Sequence, residues 1–185
     1  MELLQAKSMY RLFVAIRPPG EIRDLLLDAT DDSADFRRQD DEQLHLTLRF
    51  IGEVERPVAD DLAAELGRIH SPPFELRLSG TGRFEQRSSG ALWAGVEPKA
   101  PVAALAAKVE RACVTVGLEP ERRTFHPHIT LARWKGRRRH EVARFLDHTR
   151  GLTSAPFPVR DFVLFESRLS RHGAHYEEVA RYELG

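Results

Sequence analysis

The chain has almost no cysteine, no asparagine and no net charge, and these shortages narrow its chemistry. Cys113 is the single cysteine among 185 residues. It can close no intrachain disulfide, and the CxxC spacing of a metal or redox site is absent. It sits in the apolar stretch 109–116 and reads as a small buried hydrophobe. Lysine and arginine total 28 and aspartate and glutamate 28, so no global field recruits a polyanion and any RNA contact must be local. No run approaches the roughly 20 apolar residues needed to span a bilayer. The opening MELLQAKSMYRLF lacks the apolar segment and cleavage site of a secretory signal, so a cytoplasmic enzyme is expected. No segment resembles a linker or low-complexity tract. Arginine far outnumbers lysine, which reads as coding bias but suits bidentate contact with phosphate.

What the chain does contain is a sizeable core. Hydrophobic residues make up 42%, and the length fits one domain or two small intimate halves. Apolar patterning predicts strands at 10–16, 44–51 (ended by Gly52), 74–78, 91–96, 124–133, 159–166 and 176–184. It predicts helices over 21–29, 57–69, 101–116 and 137–148, with 30–42 as a polar loop. The order apolar strand, helix, His-x-Thr-x strand occurs twice. This weak repeat predicts two similar, intertwined lobes in one domain spanning 1–185, related by a pseudo-twofold axis. The fold class expected is α+β: two antiparallel sheets flanked by helices, with a central cleft between the lobes.

The repeat carries the chemistry. His45-Leu46-Thr47-Leu48 and His128-Ile129-Thr130-Leu131 lie in strand-like runs. Alternation along a strand puts His45 and Thr47 on one face and Leu46 and Leu48 on the other. The second copy arranges His128 and Thr130 against Ile129 and Leu131 in the same way. Two such copies facing each other make a cleft with two imidazoles and two hydroxyls. Histidine titrates near pH 6.5, so one ring can be neutral and the other protonated near pH 7. The pair can take a proton from a nucleophile and give one to a leaving oxygen. The hydroxyls can donate to nonbridging phosphoryl oxygens. Nothing in the residues themselves tells the acid from the base.

RLFVAIRPP, LHLTLRFIGEV, FELRLSGTGRF, ALWAGV, FHPHITLAR and VLFESRL…GAHY together resemble the 2H phosphoesterases. The branch they resemble is the RNA 2′,3′-cyclic phosphodiesterases, also called 2′-5′ RNA ligases, over nearly the whole chain. The resemblance implies a bilobal fold and metal-independent opening of a 2′,3′-cyclic phosphate to a 2′-phosphate. It implies that His45 protonates the leaving 3′ oxygen and that His128 activates water. It further implies that Thr47, Thr130 and Arg133 hold the phosphate, and that no cofactor or metal is used. The expected partners are RNA ends or nucleotides bearing a 2′,3′-cyclic phosphate, acted on by a monomer with no membrane association. Ligation by the reverse reaction and a non-catalytic RNA-end-binding module are the alternatives.

Other residues bear on the site. Strand parity puts Arg133 opposite His128, so it needs a bend to reach the cleft. Arg49 shares parity with His45 and reads as a rim cation. Phe50 reads as core and Trp134 as a partly exposed cap, although either could stack on a base. His126, two before His128, reads as a loop residue, since two histidines without a third ligand make a weak metal site. Arg137-Arg138-Arg139 reads as a solvated helix start. His70, His140, His148, His172 and His175 show no partner pattern.

Overall fold

The apolar run at 10–16 is unbroken because its strand is buried on both faces. In β1 (Met9–Ile16), Tyr10, Leu12, Val14 and Ile16 point into a large core shared with every helix. Phe13 and Ala15 point the other way, into a small cluster with Val163 and Phe165. The computed structural model describes residues 9–30, 36–171 and 173–185. His172, the first eight residues, and 31–35 of the expected loop lie outside the described residues.

After β1 the chain forms α1 (Gly20–Ala29), β2 (Arg37–Arg38), a short 3-10 turn at Asp41–Gln43, β3 (Leu46–Glu55) and α2 (Arg56–Leu66). It continues with β4 (Phe74–Gln86), β5 (Ser89–Glu97), α3 (Lys99–Thr115), β6 (His128–Lys135) and α4 (Arg139–His148). It closes with β7 (Phe157–Val159), β8 (Asp161–Ser170) and β9 (Gly173–Glu183). The class is α+β with antiparallel pairing, as the sequence predicts. The nine strands form one path, β7-β4-β5-β6-β3-β1-β8-β9, with β2 added beside β6. Its two four-strand halves meet at β3 and β6, through the single register pair Leu46↔Ile129.

The halves exchange strands. After α2 the chain enters β4, which pairs with β5 in the second half. After α4 it forms β7 at the edge of that half and then β8, beside β1 in the first. Only Arg160 separates β7 from β8, so the two ends of the path are drawn together and the sheet curls. The four helices pack on one face. Ile22 and Leu26, Leu62 and Leu66, Leu105 and Val109, and Val142 and Phe145 supply their buried stripes. Cys113 is fully buried on α3, and burial pushes its thiol up to about 11, in line with a packing role. Among the described residues no helix is long and apolar enough to cross a membrane.

Several boundaries differ from the sequence reading: β3 begins at Leu46, so His45 stands just before it, and β6 begins at His128 and not at 124. Gly52 does not end the first motif strand. β3 runs on to Glu55, with Ile51 as the extra residue between the pairs Phe13↔Phe50 and Leu12↔Gly52. Ser79-Gly80 does not end β4 either, because a register shift between Leu78 and Thr81 absorbs it. The single strand expected at 159–166 is the junction of β7 and β8, which pair with different partners. The two-residue strand β2 has no apolar pattern to announce it.

Candidate active site

The seam between the halves brings the two motifs together. Leu46 and Ile129 pair in antiparallel register. Extending that register by one residue each way sets His45 across from Thr130 and Thr47 across from His128 on the opposite face. Leu46 and Ile129 are buried in the helical core, whereas both histidines and both threonines are only half-buried. Neither threonine hydroxyl has a hydrogen-bond partner among the described residues.

Each imidazole is locked in the same way. His45 Nδ1 lies 2.7 Å from the Gln43 carbonyl oxygen, and His128 Nδ1 lies 2.6 Å from that of His126. A carbonyl only accepts, so Nδ1 carries the proton in both rings. That leaves Nε2 of each ring to gain or lose a proton, and orients it. Gln43 is itself fixed. Its backbone N–H donates to Asp40 Oδ1 at 3.0 Å, its Oε1 accepts from the Asp40 N–H at 3.2 Å, and its Nε2 donates to the Ala174 carbonyl at 2.8 Å. The 3-10 turn thereby positions His45 against β9.

Aromatic rings wall each histidine, and sequence reasoning missed most of them. His45 packs on Phe13 at 4.8 Å and edge-on to Tyr176 at 5.2 Å between centroids. His128 packs edge-on to Phe84 at 4.8 Å and lies 6.1 Å from Trp93. Trp93 reaches this position because its partner across β4 is Gly82. A Cβ there would fall 2.2 Å from the indole ring, so a side chain at 82 would displace it. Phe13 and Trp93 lie in strands apolar on both faces, where the pattern does not say which face is the cleft.

Burial and nearby charge make both rings poor proton holders. His45 is lowered from its ordinary 6.5 to about 4, first by burial, then by the cations Arg133, His128 and Arg17, against the raising effect of the Gln43 carbonyl. His128 is lowered first by burial and also by His126 and Arg133, against its own carbonyl partner. In the unliganded protein both rings are therefore mainly neutral at pH 7. This corrects the expectation of one neutral and one charged ring. An anion in the cleft would reverse the charge effect and favour the protonated form.

Arg133 reaches the site through a β-bulge. Thr130 pairs with Trp93 and Ala132 with Leu92, leaving Leu131 as the extra residue. The bulge turns Leu131 and Ala132 both inward and returns Arg133 to the histidine face, exposed. The first motif repeats the device. Thr47 pairs with Ala15 and Arg49 with Val14, leaving Leu48 as the extra residue.

These bulges overturn three side-chain readings. Arg49 is not a rim cation: it turns to the helical face and donates from Nε to Glu110 Oε2 at 2.5 Å and from Nη2 to the Glu119 carbonyl at 2.7 Å. Phe50 is not core. It is 42% exposed, stacked parallel to Phe13 at 6.2 Å, with the Arg11 guanidinium 5.5 Å above it. Trp134 is not an exposed cap but is buried against Phe36. Arg137 and Arg139 are exposed and Arg138 pairs with Glu141 across the first turn of α4, as a solvated helix start predicts. His126 is exposed in the loop before β6, and its carbonyl serves His128. Among the described residues no group of three or more histidine, cysteine or carboxylate side chains converges to hold a metal.

Comparison with known proteins adds a second line. A family model described as the 2′-5′ RNA ligase superfamily matches residues 16–171. An Aeropyrum pernix protein named RNA 2′,3′-cyclic phosphodiesterase is 36% identical over 148 residues, covering 78% of this chain and 83% of its own. The Escherichia coli protein of the same name is 31% identical over 184 residues, covering 94% and 96%. The crystal structure of E. coli LigT in apo form superposes with a TM-score of 0.80 at 29% identity, covering 96% of this chain and 99% of LigT. LigT complexed with 3′-AMP superposes with a TM-score of 0.78 at 28% identity, covering 95% and 98%.

Proposed function

The chain belongs to the 2′-5′ RNA ligase superfamily, and we propose that it opens 2′,3′-cyclic phosphates at RNA ends to 2′-phosphomonoesters. The observation that carries this reading is the mirrored quartet at the Leu46–Ile129 seam, with each Nδ1 tied to the carbonyl two residues earlier. That arrangement offers two Nε2 atoms on one face, flanked by two free hydroxyls and Arg133.

The reaction is an in-line displacement at phosphorus. The cyclic diester, a monoanion, binds between the threonine hydroxyls and the Arg133 guanidinium. His128 Nε2 takes a proton from water as its oxygen bonds to phosphorus. The bond from phosphorus to the 3′ oxygen breaks, and His45 Nε2 gives that oxygen a proton. The product keeps phosphate on the 2′ oxygen, and the histidines regain their starting states through solvent. A ring with a pKa near 4 is a strong acid once protonated, and the substrate's negative charge helps to load that proton. Two imidazoles supply both proton transfers, so no metal or cofactor has a role. In this reading the chain is one domain of two intertwined lobes, a cytoplasmic monomer with no membrane association.

The test is to digest a 2′,3′-cyclic nucleotide and a cyclic-phosphate-ended oligonucleotide with EDTA present. Phosphorus NMR of the products should show 2′-monophosphate. Dominant 3′-monophosphate would reverse the placement of the acid, and loss of activity restored by one divalent ion would overturn the metal-free reading.

A further inference from the structure

Arg37 and Arg133 stand directly opposite each other where β2 pairs with β6. Like charges in that position destabilise a sheet. Both side chains are exposed, and neither has a hydrogen-bond or ion-pair partner among the described residues. Among the described residues, none of the carboxylates near β2 forms an ion pair with either arginine. Asp40 accepts from the Gln43 N–H, Asp41 pairs with Arg17 and Arg23, and Glu42 faces His175 at 3.7 Å. Two arginines side by side without a carboxylate partner, beside a phosphate site, suit a ligand with two phosphates.

The Arg37 guanidinium lies against the start of β9, with Nη2 2.5 Å from where a Cβ on Gly173 would stand. The same spot lies beside Gln43, whose carbonyl holds His45. The Arg37 charge acts on Tyr176, the ring packed on His45. Arg37 is therefore on the His45 side of the seam, whereas Arg133 acts on both histidines.

In-line geometry makes that side meaningful. The 3′ oxygen leaves toward the acid, His45, so the ribose and everything 5′ of it lie on the same side. We propose that Arg37 binds the phosphodiester one nucleotide upstream of the cyclic end. The enzyme is then built for RNA 3′ ends of two or more nucleotides, not for free cyclic nucleotides. This rests on the cyclic phosphodiesterase reading above.

The experiment compares kcat/KM for a dinucleotide ending in a 2′,3′-cyclic phosphate with that for the corresponding cyclic mononucleotide, over a range of salt. The wild type should favour the dinucleotide by about tenfold, the scale of one charge-assisted phosphate contact. R37A should erase that preference, and the log–log salt slope for the dinucleotide should become shallower by about 0.7. R37K should keep part of the preference, as a point charge without the fork. R37A should melt no lower than wild type, since the repulsion with Arg133 is relieved; a fall of several degrees would assign Arg37 a structural role instead. Equal losses on both substrates, or no loss on either, would overturn the contact. A wild type inert on both would sink the cyclic phosphodiesterase reading itself. Binding of a 3′-phosphorylated dinucleotide against a 3′-nucleotide would then decide the Arg37 contact, with R37A weakening only the former.

Discussion

Leu46 and Ile129 face each other across the seam, each one residue past a motif histidine. The pair ties the geometry of the candidate site to the core. Both side chains are anchored among helix residues on one face, so the residues before and after them must project from the other. The spacing of the two imidazoles is therefore set by a backbone register and a packed core, not by loops.

Removing an imidazole should abolish turnover without unfolding the chain. H45N and H128N test this, because the asparagine amide can still donate where Nδ1 does, to the carbonyl of Gln43 or His126. What is lost is Nε2. Each variant should melt close to wild type and lose on the order of 100-fold or more in kcat, as for a missing general acid or base. A folded variant with near-wild-type kcat would remove that histidine from the mechanism.

The depressed histidines should leave a mark on stability. Folded His45 releases its proton near pH 4, whereas an unfolded histidine does so near 6.5. Between these values the unfolded chain binds more protons, so stability rises with pH across the window. The contribution is complete above about pH 6.5 and is lost as pH falls toward 4. His128 is shifted in the same direction. Melting curves between pH 7 and 4.5 should show wild type losing on the order of 5–10 °C more than H45N. Parallel losses in the two proteins would mean that His45 titrates normally.

The exchange of Arg49 to the helical face predicts a stability phenotype in place of a catalytic one. Its side chain is largely buried and donates to Glu110, to Glu119 and to the Phe50 carbonyl. Glu110 in turn accepts from the Glu121 N–H at 2.8 Å, so one ion pair ties α3 and the loop before β6 to β3. R49M leaves the Glu110 carboxylate without its partner and should cost about 2–4 kcal/mol in urea unfolding. Its kcat should stay within about threefold of wild type, far from the loss set by a missing acid or base. A large fall in kcat with unchanged stability would put Arg49 back at the cleft.

Much of this site was legible in the chain. The doubled His-x-Thr-Leu pattern locates both histidines and both threonines, because alternation in a strand with one packed face fixes which side chains share a side. The long helix at 99–115 was legible for a similar reason, since its apolar residues recur at helical spacing. The bulges at Leu48 and Leu131 were not. They arise from how β1 and β5 pair with the motif strands, and a leucine in a bulge looks like any other in a strand. Each bulge inverts the parity beyond it. Arg49, Phe50, Arg133 and Trp134 therefore all sit opposite to where counting puts them. Phe13 and Trp93 were hidden for another reason, since strands apolar on both faces do not reveal which face is open.

The bulge at Leu131 decides where Arg133 acts. Without it Arg133 would point into the helical core; with it the guanidinium is exposed on the histidine face and lowers both imidazole pKa values. If Arg133 stabilises charge on the phosphoryl oxygens, its loss should fall mainly on kcat. R133A should lower kcat by about 10–100-fold with a smaller change in KM. R133K should recover part of this, because it restores charge but not the bidentate fork. The same variant carries an electrostatic signature that a merely structural role would not give. Removing the cation should raise the pKa of both histidines, measurable by proton NMR titration of the imidazole resonances in the free protein. A fall in kcat with unmoved histidine titrations would place Arg133 away from the pair, and a rise in KM alone would make it a docking contact that does nothing for the transition state.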